Sequence, residues 1–185
     1  MLRTELCRGF ARRNAVLAIV LAASVMASVI TSSVRAQVPD AVAAPSFDLA
    51  RLLGGSMESD DLKGNVVVVD FIATWCPPCI EEVPAYNALS EKYKGKNVRV
   101  IGIVVESGSL DEVKAKLAQL DIRYPVLFGA EKTISDFGIY AFPATLVLSK
   151  DWKIQHRHTE VAPNKKQSIE QEIDELLLAS SSQQN

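Results

Sequence analysis

The chain has 185 residues, 48% of them hydrophobic and 23% charged, with a formal net charge of −2. That length suits one domain plus a leader, and the balance is that of a globular protein, which excludes extended disorder away from the termini. No Lys/Arg cluster with interleaved aromatic residues is present, which argues against a nucleic-acid partner.

The first 36 residues have the composition of an export signal. Arg3, Arg8, Arg12 and Arg13 face only Glu5, and Ala15 to Ile30 is apolar apart from Ser24 and Ser28. Val34-Arg35-Ala36 resembles a small-residue cleavage site, with Gln37 as the first mature residue. The apolar run is shorter than the roughly 20 residues that a spanning helix wants. Cleavage is therefore expected, and an uncleaved N-terminal anchor, the one route to a membrane, is the alternative. From 20 Lys+Arg and 22 Asp+Glu, cleavage removes five basic residues and one acidic residue, leaving a net charge of −6. It also removes Cys7. Any intramolecular disulfide of the mature chain must then join Cys76 to Cys79. So short a loop gains little chain entropy from a cross-link. In an oxidising compartment outside the cytoplasm, the pair reads as a working one and not a staple.

In chain order, residues 37–45 are rich in Ala, Val and Pro and suggest a linker. Phe47 to Leu53, Gly54-Gly55 and Ser56 to Glu58 suggest a β-hairpin. Val66 to Ile72 is continuously apolar but for Asp70, the pattern of a strand buried on both faces. A helix is expected from Pro77 to about Lys94, with Val83, Tyr86, Leu89, Ser90 and Tyr93 near one stripe. Val98 to Val105 is a second buried strand. Ser109 with Glu112 three positions on forms a capping-box pattern, and Leu110, Val113, Leu117 and Leu120 follow as an apolar stripe. Val126 to Phe128 is a short strand, and Lys132 to Phe137 a short helix ended by Gly138. Thr145 to Leu148 and Lys153 to His158 form a strand pair. A last helix runs from about Asn164 to Leu178, and residues 179–185 are a Ser/Gln-rich flexible tail. This alternation, ending in a hairpin, predicts a three-layer α/β domain with a mixed sheet over residues 46–178.

Trp75-Cys76-Pro77-Pro78-Cys79 sits between a buried strand and a helix, and in that setting Cys-x-x-Cys is a redox signature. The spacing puts Cys76 at the N-cap and Cys79 in the first turn. The electropositive helix end favours a thiolate on Cys76, and Pro77 falls where its missing N–H costs nothing. Neither proline offers an N–H to the Cys76 sulfur. A less stabilised thiolate favours the disulfide form and makes the dithiol the better reductant. A zinc site needs four ligands, and the mature chain adds only His156 and His158, expected as a solvent-facing pair on a distant strand. No metal and no cofactor are therefore expected. Asp70, in mid-strand, and Glu82, three residues after Cys79, are the two acids that burial would raise and that could take the proton of Cys79. Phe142-Pro143 precedes a strand, a position where cis bonds occur.

Ala73 to Cys79, followed by Glu82-Val83-Pro84 and preceded by Asp61-Leu62-Lys63-Gly64, resembles the TlpA/ResA-type branch of the thioredoxin superfamily. Phe137-Gly138-Ile139 leading to Pro143 resembles the approach to that branch's cis-proline. The resemblance implies a thioredoxin-like α/β/α fold with an N-terminal β-hairpin and an αβ insertion before Pro143. It implies Cys76 as nucleophile, Cys79 as resolving thiol and Glu82 as the acid beside them. Pro143 would be cis, and Trp75, Pro77, Pro78 and Phe142 would line a substrate groove with it. Asp70 matches instead the buried acid of ordinary thioredoxins, where this branch often carries Asn. Glu82 is accordingly expected to matter more than Asp70. Phe142, Ala144-Thr145 and Trp152 depart from the commoner residues of the groove and the following turn.

The expected function is a thiol–disulfide oxidoreductase that reduces disulfides of exported proteins, with apocytochrome c as one candidate substrate. A membrane thiol reductase would supply the electrons. A disulfide-forming oxidase and a thiol-based metal carrier are the alternatives.

Overall fold

The structure, a computed structural model, describes residues 41–105 and 107–181. The expected export segment, its cleavage site and Cys7 lie outside the described residues. Among the described residues, eight strands form one mixed sheet. They are β1 (Val42–Ala43), β2 (Asp48–Arg51), β3 (Ser56–Glu58), β4 (Val66–Ile72), β5 (Val98–Val104), β6 (Val126–Phe128), β7 (Ala144–Leu148) and β8 (Lys153–His158). Their spatial order is β1-β8-β7-β4-β5-β6-β2-β3. Strand β4 pairs in parallel with β5 and antiparallel with β7, so it lies in the middle of the sheet. All seven of its residues are buried, as helices on both faces require.

The helices are α1 (Pro77–Glu81), α2 (Val83–Lys92), α3 (Leu110–Leu117), α4 (Glu131–Phe137) and α5 (Lys165–Ser181). The two-residue period of β4 sorts the core. Val66, Val68 and Ile72 meet Cys76, Cys79, Tyr86, Leu89, Val113 and Ile169 on one face. Val67, Val69 and Phe71 meet Leu62, Ile134, Phe137 and Trp152 on the other. Asp70 keeps the phase of Val68 and Ile72, so it faces the cysteine side.

The expected hairpin is β2–β3, with Leu49 opposite Met57. The capping box at α3 forms reciprocally: Ser109 Oγ accepts from the Glu112 N–H, and the Ser109 N–H donates to Glu112 Oε2. Gly138 ends α4 at φ 62°. Three readings are corrected. The 37–45 segment is not all linker: Val42 and Ala43 pair with Ile154 and Lys153 as an edge strand, and Ala44 is buried behind them. The last helix continues to Ser181, past the expected start of the tail. The Pro77–Lys94 helix is two helices broken at Glu82 (φ −79°, ψ −15°). Pro84 has no N–H to give the Ile80 carbonyl, so an unbroken helix would lose that bond and crowd its ring against the preceding turn. As the second residue of a new helix, Pro84 needs no donor.

Candidate active site

Strand β4 ends at Ile72, and Ala73-Thr74-Trp75 carry the chain to the N-terminus of α1. This loop is tied down by backbone and hydroxyl bonds. The Cys76 N–H donates to the Ala73 carbonyl at 3.0 Å. The Thr74 N–H donates to Ser107 Oγ at 2.8 Å, and that hydroxyl donates to the Val105 carbonyl at 2.8 Å. Lys116 of α3 reaches Thr74 Oγ1 at 3.3 Å. Cys76 is the N-cap residue in extended conformation, and its sulfur accepts the Cys79 N–H at 3.3 Å. The two cysteines are joined, with Cα atoms 5.4 Å apart. Cys76 is 5% exposed and Cys79 0%. The outer sulfur therefore belongs to Cys76, at the electropositive end of α1.

Trp75 is 57% exposed and stands edge-on to Phe142, with ring centroids 5.6 Å apart. Phe142 packs against the core cluster that contains both cysteines. The Phe142–Pro143 bond is cis, and Ala144 follows at once as the first residue of β7. The structure thus gathers Trp75, the disulfide and Phe142-Pro143 at one end of the sheet.

On the cysteine-facing side of β4 lies a polar group that the sequence only partly announces. Asp70 is 0% exposed. Its Oδ2 accepts the Tyr124 hydroxyl at 3.0 Å, whereas Oδ1 has no partner. Burial pushes its carboxyl up to about 8, against a smaller opposing pull from the Tyr124 bond. Glu82, at the α1–α2 break, is gripped by Lys165 Nζ, which lies 3.0 Å from Oε1 and 2.9 Å from Oε2. The Tyr86 hydroxyl lies 3.4 Å from Glu82 Oε2 and is shared with Thr145 Oγ1. Burial, and then the negative charge of Asp70, raise both Tyr86 and Tyr124, so both phenols stay protonated donors. Thr145 is the cross-strand neighbour of Asp70.

Tyr86, Tyr124, Thr145, Ser107 and Lys165 were not singled out as site residues. Tyr86 is visible in the sequence only as part of an apolar stripe. Lys165 carries one faint mark, a basic residue at a helix start where acids are preferred. Among the described residues, no group of three or more His, Cys, Asp or Glu side chains could hold a metal ion. His156 and His158 are not simply solvent-facing: both reach Glu172 of α5, at 3.6 and 3.0 Å. No described helix is long and apolar enough to cross a membrane.

The Redoxin family matches residues 37–174. The chain belongs to the Redoxin family. Within that family it is similar to the thioredoxin-like protein YneN of Bacillus subtilis (strain 168), 32% identical over 71% of this chain and 76% of that protein. It is 35% identical to the thiol-disulfide oxidoreductase ResA of Bacillus thuringiensis (strain Al Hakam) over 60% of this chain, a match spanning 64% of the relative's length. Among solved structures, the pneumococcal exposed lipoprotein thioredoxin of Streptococcus pneumoniae strain TIGR4 superposes with a TM-score of 0.65. That match has 25% identity and covers 71% of this chain and all of the other. The fold is thioredoxin-like, and this Redoxin-family chain is a ResA-like thiol–disulfide oxidoreductase whose dithiol is Cys76 and Cys79.

Proposed function

We propose that the protein works outside the cytoplasm as a disulfide reductant. Cys76 would be the attacking thiolate and Cys79 the resolving thiol. The substrates would be disulfide-bearing exported proteins, including apocytochromes c with their paired haem-site cysteines. A membrane thiol reductase would return the electrons. The basic start and apolar run of residues 1–36 support export, as does the likeness to an exposed lipoprotein.

One observation carries the direction of electron flow. Pro77 and Pro78 leave the Cys79 N–H as the first-turn backbone donor on Cys76 Sγ. Each additional N–H would stabilise the thiolate and so the dithiol form; with one, the disulfide is favoured and the dithiol gives up electrons readily. Trp75 and Phe142 offer an exposed apolar edge to an extended chain beside the reacting sulfur.

The test is insulin reduction by the purified protein with dithiothreitol as electron source. The wild type should turn over, and Cys76→Ala and Cys79→Ala should not. Full activity in Cys76→Ala would reject the nucleophile. Tight Cu(I) or Zn(II) binding through both thiols, with no reductase activity, would establish the metal carrier instead.

A further inference from the structure

Strand β5 lies between β4 and β6, and six of its seven residues are buried. Arg99 is the exception. It pairs beside Val67 of β4 and keeps the phase of Ile101, so it belongs to the face that Leu62, Ile134 and Phe137 cover elsewhere. At Arg99 that cover stops, and the opening leads into a cavity of about 600 Å³. The cavity lies where Val66 and Val98 begin the two central strands. The disulfide follows their other end, and a seven-residue strand sets the two about 20 Å apart.

Four cations line this cavity, Arg51, Lys94, Lys96 and Arg99, against one carboxylate, Asp61. A chain with more acidic than basic residues thus gathers a surplus of three positive charges in one place. Asp61 is already engaged, because its Oδ2 accepts the Glu58 N–H at 3.1 Å. Among the described residues, Arg51, Lys96 and Arg99 have no carboxylate within ion-pair distance. Lys94 has Glu91 at 3.6 Å, but the two side chains are 76% and 74% exposed, and water screens such a pair. Each guanidinium carries five N–H donors in a rigid fork. Arg51 uses only Nε, on the Ser56 carbonyl. Arg99 uses only Nη1, on the Lys96 and Val98 carbonyls.

We propose that this cavity is a binding site for a phosphate ester, separate from the redox centre. The two guanidinium forks match the paired oxygens of a phosphate, and the two ammonium groups add charge. Met57 and Leu62 supply an apolar wall for the carbon skeleton of the ester. A carboxylate, with one charge and one pair of oxygens, would leave a fork and most of the surplus charge unanswered. A soluble phosphate ester and the headgroup of an anionic phospholipid offer the same chemistry. In the second case the membrane would hold the pole of the protein far from Cys76, with Trp75 and Phe142 left facing outward.

The experiment titrates the purified, isotope-labelled protein with glycerol 3-phosphate at fixed ionic strength and follows amide shifts, with acetate as the control anion. Residues 94–99 should shift saturably with the ester and not with acetate. Arg51→Gln and Arg99→Gln should each weaken binding about tenfold, the effect of losing a charge-assisted hydrogen bond. Arg99→Lys keeps the charge without the fork and should lose less than Arg99→Gln. All three variants should reduce insulin as the wild type does, since their site lies at the other end of the sheet. Sedimentation with phosphatidylcholine vesicles, with and without phosphatidylglycerol, separates the two sources. Retention that needs phosphatidylglycerol and both arginines assigns the headgroup; no retention beside a working glycerol 3-phosphate titration assigns the soluble ester. Equal shifts with acetate, or equal affinity in the wild type and the two Gln variants, would overturn the inference. So would a loss of insulin reduction that parallels the loss of binding, because the cavity would then belong to the redox site. A wild type that binds the ester but reduces no insulin would reject the reductase reading and uphold this site.

Discussion

Asp70 makes a pH-dependent contribution to folding whose sign follows from its burial. A free Asp titrates near 3.8, and in the folded chain this carboxyl is raised to about 8. Between those values the folded state keeps a proton that the unfolded state has released. Stability therefore falls as pH rises, by about 1.4 kcal/mol per pH unit for one group. The contribution is fully present below about pH 4 and gone above about pH 8. Over that span the change is on the order of 5 kcal/mol. Asp70→Asn abolishes it. The Asn oxygen still accepts the Tyr124 hydroxyl, while its NH2 group takes the place of the unpartnered Oδ1. That buried donor corresponds to the O–H of the protonated wild-type carboxyl, which finds no second partner either, so the two chains differ little at about pH 4. The two stability curves should therefore diverge: the difference in favour of the variant should grow by about 4 kcal/mol from pH 5 to 8. Urea denaturation of the oxidised proteins at unit pH steps reads this directly, and the difference between the two chains cancels every other titrating group. Parallel curves from pH 5 to 8 would mean that Asp70 is ionised in the folded protein, and the argument from burial would be refuted.

Three further outcomes follow from the same contacts. Cys79→Ala should accumulate mixed disulfides with extracytoplasmic proteins, and Cys76→Ala should trap none; mass spectrometry of the trapped partners reads both, and trapping by the wrong variant would exchange the two roles. Pro78→Ala restores an N–H in the first turn of α1 and should make the couple more oxidising by about 30 mV, a tenfold change in equilibrium constant with thiol exchange buffers. Trp152→Gly relieves a left-handed backbone (φ 60°) but removes a buried ring that packs on Phe47 and donates to the Pro45 carbonyl; lost packing of about 3–5 kcal/mol outweighs the roughly 1–2 kcal/mol of backbone relief, so thermal unfolding should show a clear net loss.

Much of the fold was legible because its signals are local. The run from Val66 to Ile72 is the central strand, residue for residue, since only a strand covered on both faces tolerates such a run. Cys-Pro-Pro-Cys after that strand located the redox pair, and Ser109 with Glu112 marked a helix start. The α1–α2 break was visible in Pro84 but outweighed by the apolar stripe on either side. Strand β1 was not legible: Val42-Ala43 is too short for any period, and β8, more than a hundred residues later, makes it a strand. The site's polar floor was hidden for a related reason. Asp70 with Tyr124 and Glu82 with Lys165 are contacts across 54 and 83 positions, and no spacing rule links such residues. His156 and His158 were misjudged because their partner, Glu172, lies on a helix whose placement the strand cannot announce.

The measurement that bears most directly on the account is the reduction potential of the Cys76–Cys79 couple, equilibrated against dithiothreitol or glutathione buffers and read by alkylation of the free thiols. A site with so few donors on Cys76 should lie on the reducing side, nearer the roughly −270 mV of thioredoxin than the roughly −120 mV of a strong disulfide oxidant. A value close to −120 mV would mean that the dithiol form is strongly stabilised after all, and that the protein makes disulfides where this account has it break them.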